Sequence, residues 1–305
     1  MQAYLEKKFP GEKVKYVGAG TDSTAFKVGT KICRFPHHGV VDIYETESAL
    51  CDFIRPNIAA PIPTVKIVRD GKMVFAVHEM ITGGKWSWHK FSWAPRRQCN
   101  LSRTYAQFLA QLHSVDAKKL ARHVPAIAEH IPYCDLDEIS DFLARFMTPG
   151  QMRCFRKNYE RIVNAPVAPD DMVFVHMGLK GANSVVADDG SLCGVFDFCS
   201  GGIYERGRDF VLSYLGRNAS MFRTVLREYN KLTGGHAPTA ARVKDLAVIE
   251  FLWRRRLFVN GKFCPRNDHF IMKNIAVALA HFHHLPKPLY WAIYLRMKRR
   301  LRHAE

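Results

Sequence analysis

At 305 residues, with 48% hydrophobic and 24% charged composition, the chain is long enough to bury a sizeable core, which excludes a disordered or low-complexity protein. A formal net charge of +17 favours anionic partners such as nucleotides, phosphorylated small molecules, acidic lipid or nucleic acid, and disfavours polycations. The eight cysteines form no C-x-x-C pair and the N-terminus has no apolar run, so a cytoplasmic protein without structural zinc, signal peptide or membrane span is expected.

From Lys13 the chain reads as three short antiparallel strands, VKYVGAG, TAFKV and KICRFP, with a Gly29-Thr30 turn before the third, because β-branched and aromatic residues are bounded by glycines. Asp42–Ile54 places Ile43, Ala49, Leu50, Phe53 and Ile54 at helical spacing, and Pro56 closes the segment. PIPTVKIV and KMVFAVHEM supply two further strands, and ITGG follows as a glycine break expected to act as a hinge. Beyond it the spacing predicts helices over residues 101–115, 135–146, 220–232, 242–257 and 269–282, with short strands over 172–175, 184–187 and 192–196. The order predicts an α+β protein of two lobes, a sheet-rich lobe of residues 1–81 and a larger helical lobe of residues 82–305.

The densest chemistry lies in VFVHMGLKGANSVVADDGSLCGVFDFCSGGIYERGRDF, residues 173–210. In phosphoryl-transfer loops, H-x-D followed five residues later by Asn supplies a base and a metal ligand, and an Asp after the next strand supplies a second ligand. His176, Asn183 and Asp197 keep that spacing, while Gly178 stands where the base belongs. Asn183 and Asp197 are hard oxygen donors expected to hold Mg²⁺. His176 is expected to brace the loop and Lys180 to steady a γ-phosphate. Asp209 is expected to accept backbone N–H bonds from the loop, the alternative being an exposed cap on FVLSYL. Upstream, Gly18, Gly20 and Ser23 let backbone N–H groups and a hydroxyl approach phosphates. Arg34 on the third strand is the expected phosphate cation and Glu47 the carboxylate that orients it, with Glu45 left open as the alternative; Lys31 faces the other side of the strand. The backbone around Glu79 and Ile81 offers an acceptor and a donor to a purine edge. His113 in AQFLAQLHSVDA reads as scaffold, and Asp188 and Asp189 as turn residues.

With these residues assembled, the chain resembles the aminoglycoside phosphotransferase and choline kinase-like branch of the protein-kinase-like superfamily over nearly its full length. HMGLKGAN is similar to the family's loop HGDLHPGN or HMDLxGxN, and GVFDF to its metal strand GxxDF. KICRFP resembles the third strand, AQFLAQLHSVDA the LH helix, and GGIYERGRDF the segment that ends in a structural Asp. The resemblance implies a two-lobed kinase-like fold, ATP or GTP with Mg²⁺, and γ-phosphoryl transfer to a hydroxyl of a small molecule. Gly178 departs from that pattern and removes general-base help worth about 10² to 10⁴-fold in rate. Two readings follow, a phosphotransferase of reduced or rerouted activity and a nucleotide-binding pseudokinase with a scaffolding role. The charge of +17 opposes a polycationic aminoglycoside acceptor, an acidic pocket around Asp245 and Glu250 being the exception. Near the end, Tyr290, Ile293, Tyr294, Met297 and Leu301 form a helical stripe beside Arg296, Lys298, Arg299, Arg300 and Arg302; it is read as a docked helix or as one resting on anionic membrane. Nucleic-acid binding has no reader motif behind it.

Overall fold

The computed structural model of the chain describes residues 1–20, 23–37, 41–86, 95–127, 136–137, 140, 144, 148–215, 219–259, 291–292, 295 and 299, the last turns of 251–259 as backbone alone. Two compact units are present, Met1–His130 with Asp170–Ala237, and Ile131–Pro169 with Pro238–Glu305. In chain order the elements begin with α1 (Gln2–Lys8), β1 (Val14–Ala19), β2 (Ser23–Val28), β3 (Lys31–Pro36), α2 (Asp42–Ile54), β4 (Lys66–Asp70) and β5 (Met73–Glu79). They continue with α3 (Pro95–His113), α4 (Ala117–His123), α5 (Pro149–Val163), β6 (Met172–Val175), β7 (Ser184–Val186), β8 (Leu192–Val195) and β9 (Gly202–Glu205). The last are α6 (Val211–Leu215), α7 (Ala219–Leu232) and α8 (Ala240–Val259).

In the first unit the five N-terminal strands form an antiparallel sheet of order β1-β2-β3-β5-β4. Strand alternation sorts β3 cleanly. Cys33 and Phe35 turn to the face where Leu5 of α1, Phe26, Val28 and Phe75 are buried, and Phe35 stacks on Phe75 with centroids 4.8 Å apart. Each such buried aromatic contributes about 1.5–3 kcal/mol relative to exposure. Arg34, between them in sequence, pairs with Ala25 of β2 and Ala76 of β5, and these small neighbours leave room for its long side chain. Tyr44, Val65 and Ala76 form a second cluster of buried residues. Helix α2 buries Tyr44, Glu47, Leu50, Cys51 and Ile54, a spacing of three and four that makes one face.

The strand expected in PIPTVKIV begins only at Lys66 and runs on to Asp70. Pro61 and Pro63 have no N–H for a ladder, and their segment is held instead by the Arg55 guanidinium, which donates to the Ile62 and Pro63 carbonyls at 3.0 and 2.8 Å. Helix α3 starts at Pro95, ahead of the apolar periodicity that suggested residue 101, because the fixed φ of proline suits a first helical turn. Helix α3 packs on α7, β6 pairs with β9, and β7 pairs with β8.

In the second unit, α5 opens on a capping box in which Thr148 and Gln151 satisfy each other's backbone N–H, and it buries Phe155, Tyr159 and Ile162 on one face. From α8, Arg242 donates to the Ile162 carbonyl at 3.1 Å and Asp245 pairs with Arg161 at 3.3 Å. Asp245 is therefore already ion-paired, and Glu250 is buried. The predicted helix over 135–146 is described only at residues 136, 137, 140 and 144, which are helical; that over 269–282 lies outside the described residues, as does the C-terminal basic stripe apart from Arg299, which is helical and exposed. Among the described residues no helix is long and apolar enough to cross a membrane.

Candidate active site

The loop after β6 is held from behind by one carboxylate. Asp209 accepts the N–H of His176 at 2.9 Å through Oδ2 and that of Met177 at 2.8 Å through Oδ1. Met177 has φ 61°, a conformation that costs a non-glycine residue energy, and these two bonds hold it there. Asp209 is 2% exposed, so it is not the exposed cap that its position before FVLSYL allowed. Its Oδ2 also lies 3.2 Å from His113 Nε2, while His113 Nδ1 lies 2.8 Å from the Tyr229 hydroxyl. Arg206 donates to that hydroxyl at 3.0 Å. The donors then run in one direction, from Arg206 to Tyr229 to His113 to Asp209. Burial depresses the His113 pKa more than Asp209 raises it, so the ring is neutral; burial pushes the Tyr229 hydroxyl up to about 12.

Within the loop the His176 ring is buried and fixed in one tautomer. Nδ1 accepts the Gly178 N–H at 3.1 Å, which leaves the proton on Nε2 facing the Phe196 carbonyl at 3.2 Å. Asn183 Nδ2 donates to the Gly178 carbonyl at 3.0 Å, and the Phe196 N–H donates to the Asn183 carbonyl at 2.9 Å. His176, Gly178, Asn183 and the approach to Asp197 thus form one hydrogen-bonded network.

A second network reaches Asp197 from the sheet. Glu47 is fully buried; one oxygen pairs with Arg34 Nη2 and the other accepts the Phe198 N–H at 3.1 Å. The Arg34 guanidinium also lies 5.0 Å over the Tyr44 ring. Burial works against the Arg34 charge, yet the Glu47 carboxylate outweighs it and holds the Arg34 pKa above its ordinary value. Glu45, the open alternative, is half exposed and paired with Arg69 at the surface. Lys31 is exposed. Asp197 itself takes φ 70°. Burial raises its pKa, the Glu47 charge raises it further, and His176, Arg34 and Lys180 oppose the shift. A half-buried carboxylate whose pKa a second carboxylate raises is a place that favours a bound cation.

The remaining sequence candidates surround these networks. Gly20 donates its N–H to the Ser23 carbonyl at 2.8 Å, closing the turn between β1 and β2, and Ser23 opens β2 opposite Pro36. The Met80 N–H is taken by the Thr30 carbonyl at 2.7 Å and the Glu79 carboxylate by the Thr30 hydroxyl at 3.0 Å. The His78 Nδ1 lies 2.9 Å from the Glu79 carbonyl. Ile81 lies so close to Gly194 that a Cβ there would collide with it. Next, Gly84 and Val186 exchange both backbone bonds at 2.7 and 3.1 Å, and Trp86 Nε1 donates to the Ser184 hydroxyl at 3.0 Å. A Cβ on Gly181 would overlap the Trp86 carbonyl. The glycine break is therefore stapled to β7 through Gly84 and Trp86, with Gly181 of the loop and Gly194 of β8 leaving room for Trp86 and Ile81, contacts that sequence reasoning missed; glycines inside otherwise ordered stretches were the available signal. Arg206 and Tyr229 were missed too, and no spacing rule points to them.

The donor set suits a hard divalent cation. Asn183 Nδ2 is committed to Gly178, which leaves Oδ1 as the acceptor, and the Asp197 carboxylate is the second oxygen donor. Among the described residues no cluster of three or more His, Cys, Asp or Glu offers an all-protein metal cage.

The family model for the phosphotransferase enzyme family (APH) matches residues 13–246. No curated protein sequence matches the chain. Among solved structures, the ADP-bound aminoglycoside phosphotransferase APH(2'')-Ib superposes with TM-score 0.67 at 17% identity, covering 91% of this chain and 95% of that one. The GDP complex of aminoglycoside 2'-phosphotransferase-IIIa gives 0.67 at 13% identity, covering 92% and 96%. The macrolide 2'-phosphotransferase MphH from Brachybacterium faecium gives 0.65 at 18% identity, covering 92% and 98%. At such identities the likeness establishes the fold, the α+β kinase-like architecture of these enzymes.

Proposed function

The chain belongs to the phosphotransferase enzyme family (APH), and from that premise we propose that it transfers the γ-phosphoryl group of ATP or GTP to a hydroxyl of a small molecule. The observation behind this reading is Glu47, whose two oxygens join Arg34 to the Phe198 N–H and so bind the phosphate cation to the segment bearing Asp197. Arg34 is the group for the α- and β-phosphates, with the backbone of Gly18 and the Ser23 hydroxyl over them, while the Gly20 N–H closes the turn onto the Ser23 carbonyl. Backbone groups of Glu79 and Ile81 take the purine edge. Residues 1–81 and 82–305 are the two lobes of this reading. Asn183 Oδ1 and Asp197 are the residues that would hold Mg²⁺, which when bound neutralises charge on the transferring phosphates. Lys180 of the same loop would steady the γ-phosphate, and Asp209 holds the loop backbone through the His176 and Met177 N–H groups. The solved relatives bound to ADP and GDP support a purine nucleotide without choosing between ATP and GTP.

A second reading, a nucleotide-binding pseudokinase, is favoured by Gly178, which gives the loop no side-chain acceptor for a hydroxyl proton. Phosphate release from Mg-ATP separates the two. The enzyme reading expects turnover by the natural chain that is lost in Asp197→Ala; the pseudokinase reading expects thermal stabilisation by Mg-ATP with no turnover in either.

A further inference from the structure

Gly178 sits inside the loop network with both backbone polar groups engaged, its N–H by His176 Nδ1 at 3.1 Å and its carbonyl by Asn183 Nδ2 at 3.0 Å. Its φ is outside the left-handed region, so the backbone accepts a side chain. The three nearest neighbours of a Cβ there would be Asn183 Nδ2 at 3.1 Å and the His176 Nδ1 and Cε1 at 3.4 and 3.5 Å. All three belong to polar groups, and the Asn183 amide has a second N–H beyond the one given to Gly178. Of these neighbours the group that can donate to a carboxylate is the second N–H of Asn183, since His176 Nδ1 accepts the Gly178 N–H and has no proton to give.

Asp209, Glu47, Asp189 and Asp171 have partners of their own. Asp209 uses both oxygens on His176, Met177 and His113. Glu47 is held by Arg34 and Phe198 N–H. Asp189 accepts from the Ser191 N–H and hydroxyl in the turn after β7. Asp171 pairs with Arg206 at 2.7 Å. Asp197 is the expected metal ligand.

We infer that the acceptor supplies the missing carboxylate: the substrate class is a small 2- or 3-hydroxy acid, its carboxylate beside Gly178. The inference rests on the phosphotransferase reading. The charge of +17 and Lys180 in the same loop favour such an anion over a polycation. A five- or six-membered hydrogen-bonded ring lets the acid's carboxylate take the proton of its own hydroxyl. The hydroxyl oxygen forms a bond to the γ-phosphorus, the bond from that phosphorus to the β,γ-bridging oxygen breaks, and its electron pair leaves on the nucleoside diphosphate. The proton then passes from the carboxylic acid to solvent.

The test measures nucleoside diphosphate release by the full chain with Mg-ATP and matched pairs of acceptors, glycolate, lactate, glycerate and 3-hydroxybutyrate against their primary amides. Acids are expected to turn over about 10²-fold or more faster than the amides, the scale of general-base help. In Gly178→Asp the gap closes to within about tenfold because the protein supplies the base, whereas Gly178→Ala, which adds only the Cβ, keeps the gap. Formate is expected to stimulate Mg-ATP hydrolysis saturably in the natural chain and not in Gly178→Asp. Equal turnover of acids and amides, or no acid preference together with no formate effect, overturns the inference. If Gly178→Asp then phosphorylates the amides, the phosphotransferase reading survives alone; if neither chain binds Mg-ATP, that reading falls as well.

Discussion

Glu47 illustrates how much depends on single buried groups. Its oxygens meet a guanidinium from β3 and an N–H after Asp197, so one side chain ties strand, helix and the Asp197 segment together. Removing it in Glu47→Ala leaves the Arg34 charge buried without its partner, and we expect a loss of about 3–5 kcal/mol in urea unfolding. Glu47→Gln keeps an acceptor for Phe198 and is expected to cost less. Nucleotide affinity should fall in both, by calorimetric titration. Helical spacing alone left Glu45 and Glu47 as rivals, because each is a carboxylate on the same short helix. The partner Arg69, on a strand twenty-four residues beyond Glu45, draws that residue to the surface. Gly181 makes the complementary case. Its requirement for no side chain comes from the Trp86 carbonyl, a neighbour that no local pattern predicts. Gly181→Ala is expected to displace the Trp86 segment and lower the unfolding midpoint, while Gly20→Ala, whose Cβ would have nothing nearer than 3.9 Å, should leave it little changed.

The loop from His176 to Asn183 is shaped as a unit by Asp209. Asp209→Ala removes the acceptors of two backbone N–H groups and the partner of His113, and we expect amide exchange at His176 and Met177 to quicken by at least about tenfold. Unchanged protection there would mean that the loop keeps its shape without the carboxylate. Helix α5 depends on its cap in a simpler way: Thr148→Ala should cost about 1 kcal/mol and fray its first turn. The Thr-x-x-Gln signature of that box was present in the sequence, as was Asp116 capping α4 through the Lys119 N–H at 2.9 Å, yet apolar periodicity alone passes over both helices. The sheet strands were more legible, since alternating β-branched and aromatic residues between glycines have few other uses. Only β4 shifted, for the proline reason given above.

Three described buried histidines, His78, His113 and His176, have pKa values lowered by burial and so contribute to the response to acid. Burial depresses the pKa of His78 and of His113 below their ordinary value near 6.5, against smaller opposing effects from Glu79 and Asp209 respectively. Between the folded and unfolded pKa values the unfolded chain binds more protons, so stability rises with pH there and falls as the pH drops through about 6.5. Each group contributes a slope of at most about 1.4 kcal/mol per pH unit. Thermal unfolding from pH 8 to pH 5 should show the loss below 6.5, and His113→Gln should shallow it; an unchanged slope in that variant would assign the acid sensitivity to other groups.

The amino-acid sequence by itself determined the element types of the sheet, the order of the loop and the strand before Asp197, the glycine at position 178 and the strongly positive charge, because each is written in local spacing or composition. Only the tertiary structure decided which carboxylate meets Arg34, that Asp209 is buried behind the loop with His113 and Tyr229, and that Gly181 and Gly194 lie against Trp86 and Ile81. Those contacts join residues 13 to 116 positions apart, and burial, charge pairing and backbone approach over such separations are consequences of how elements pack.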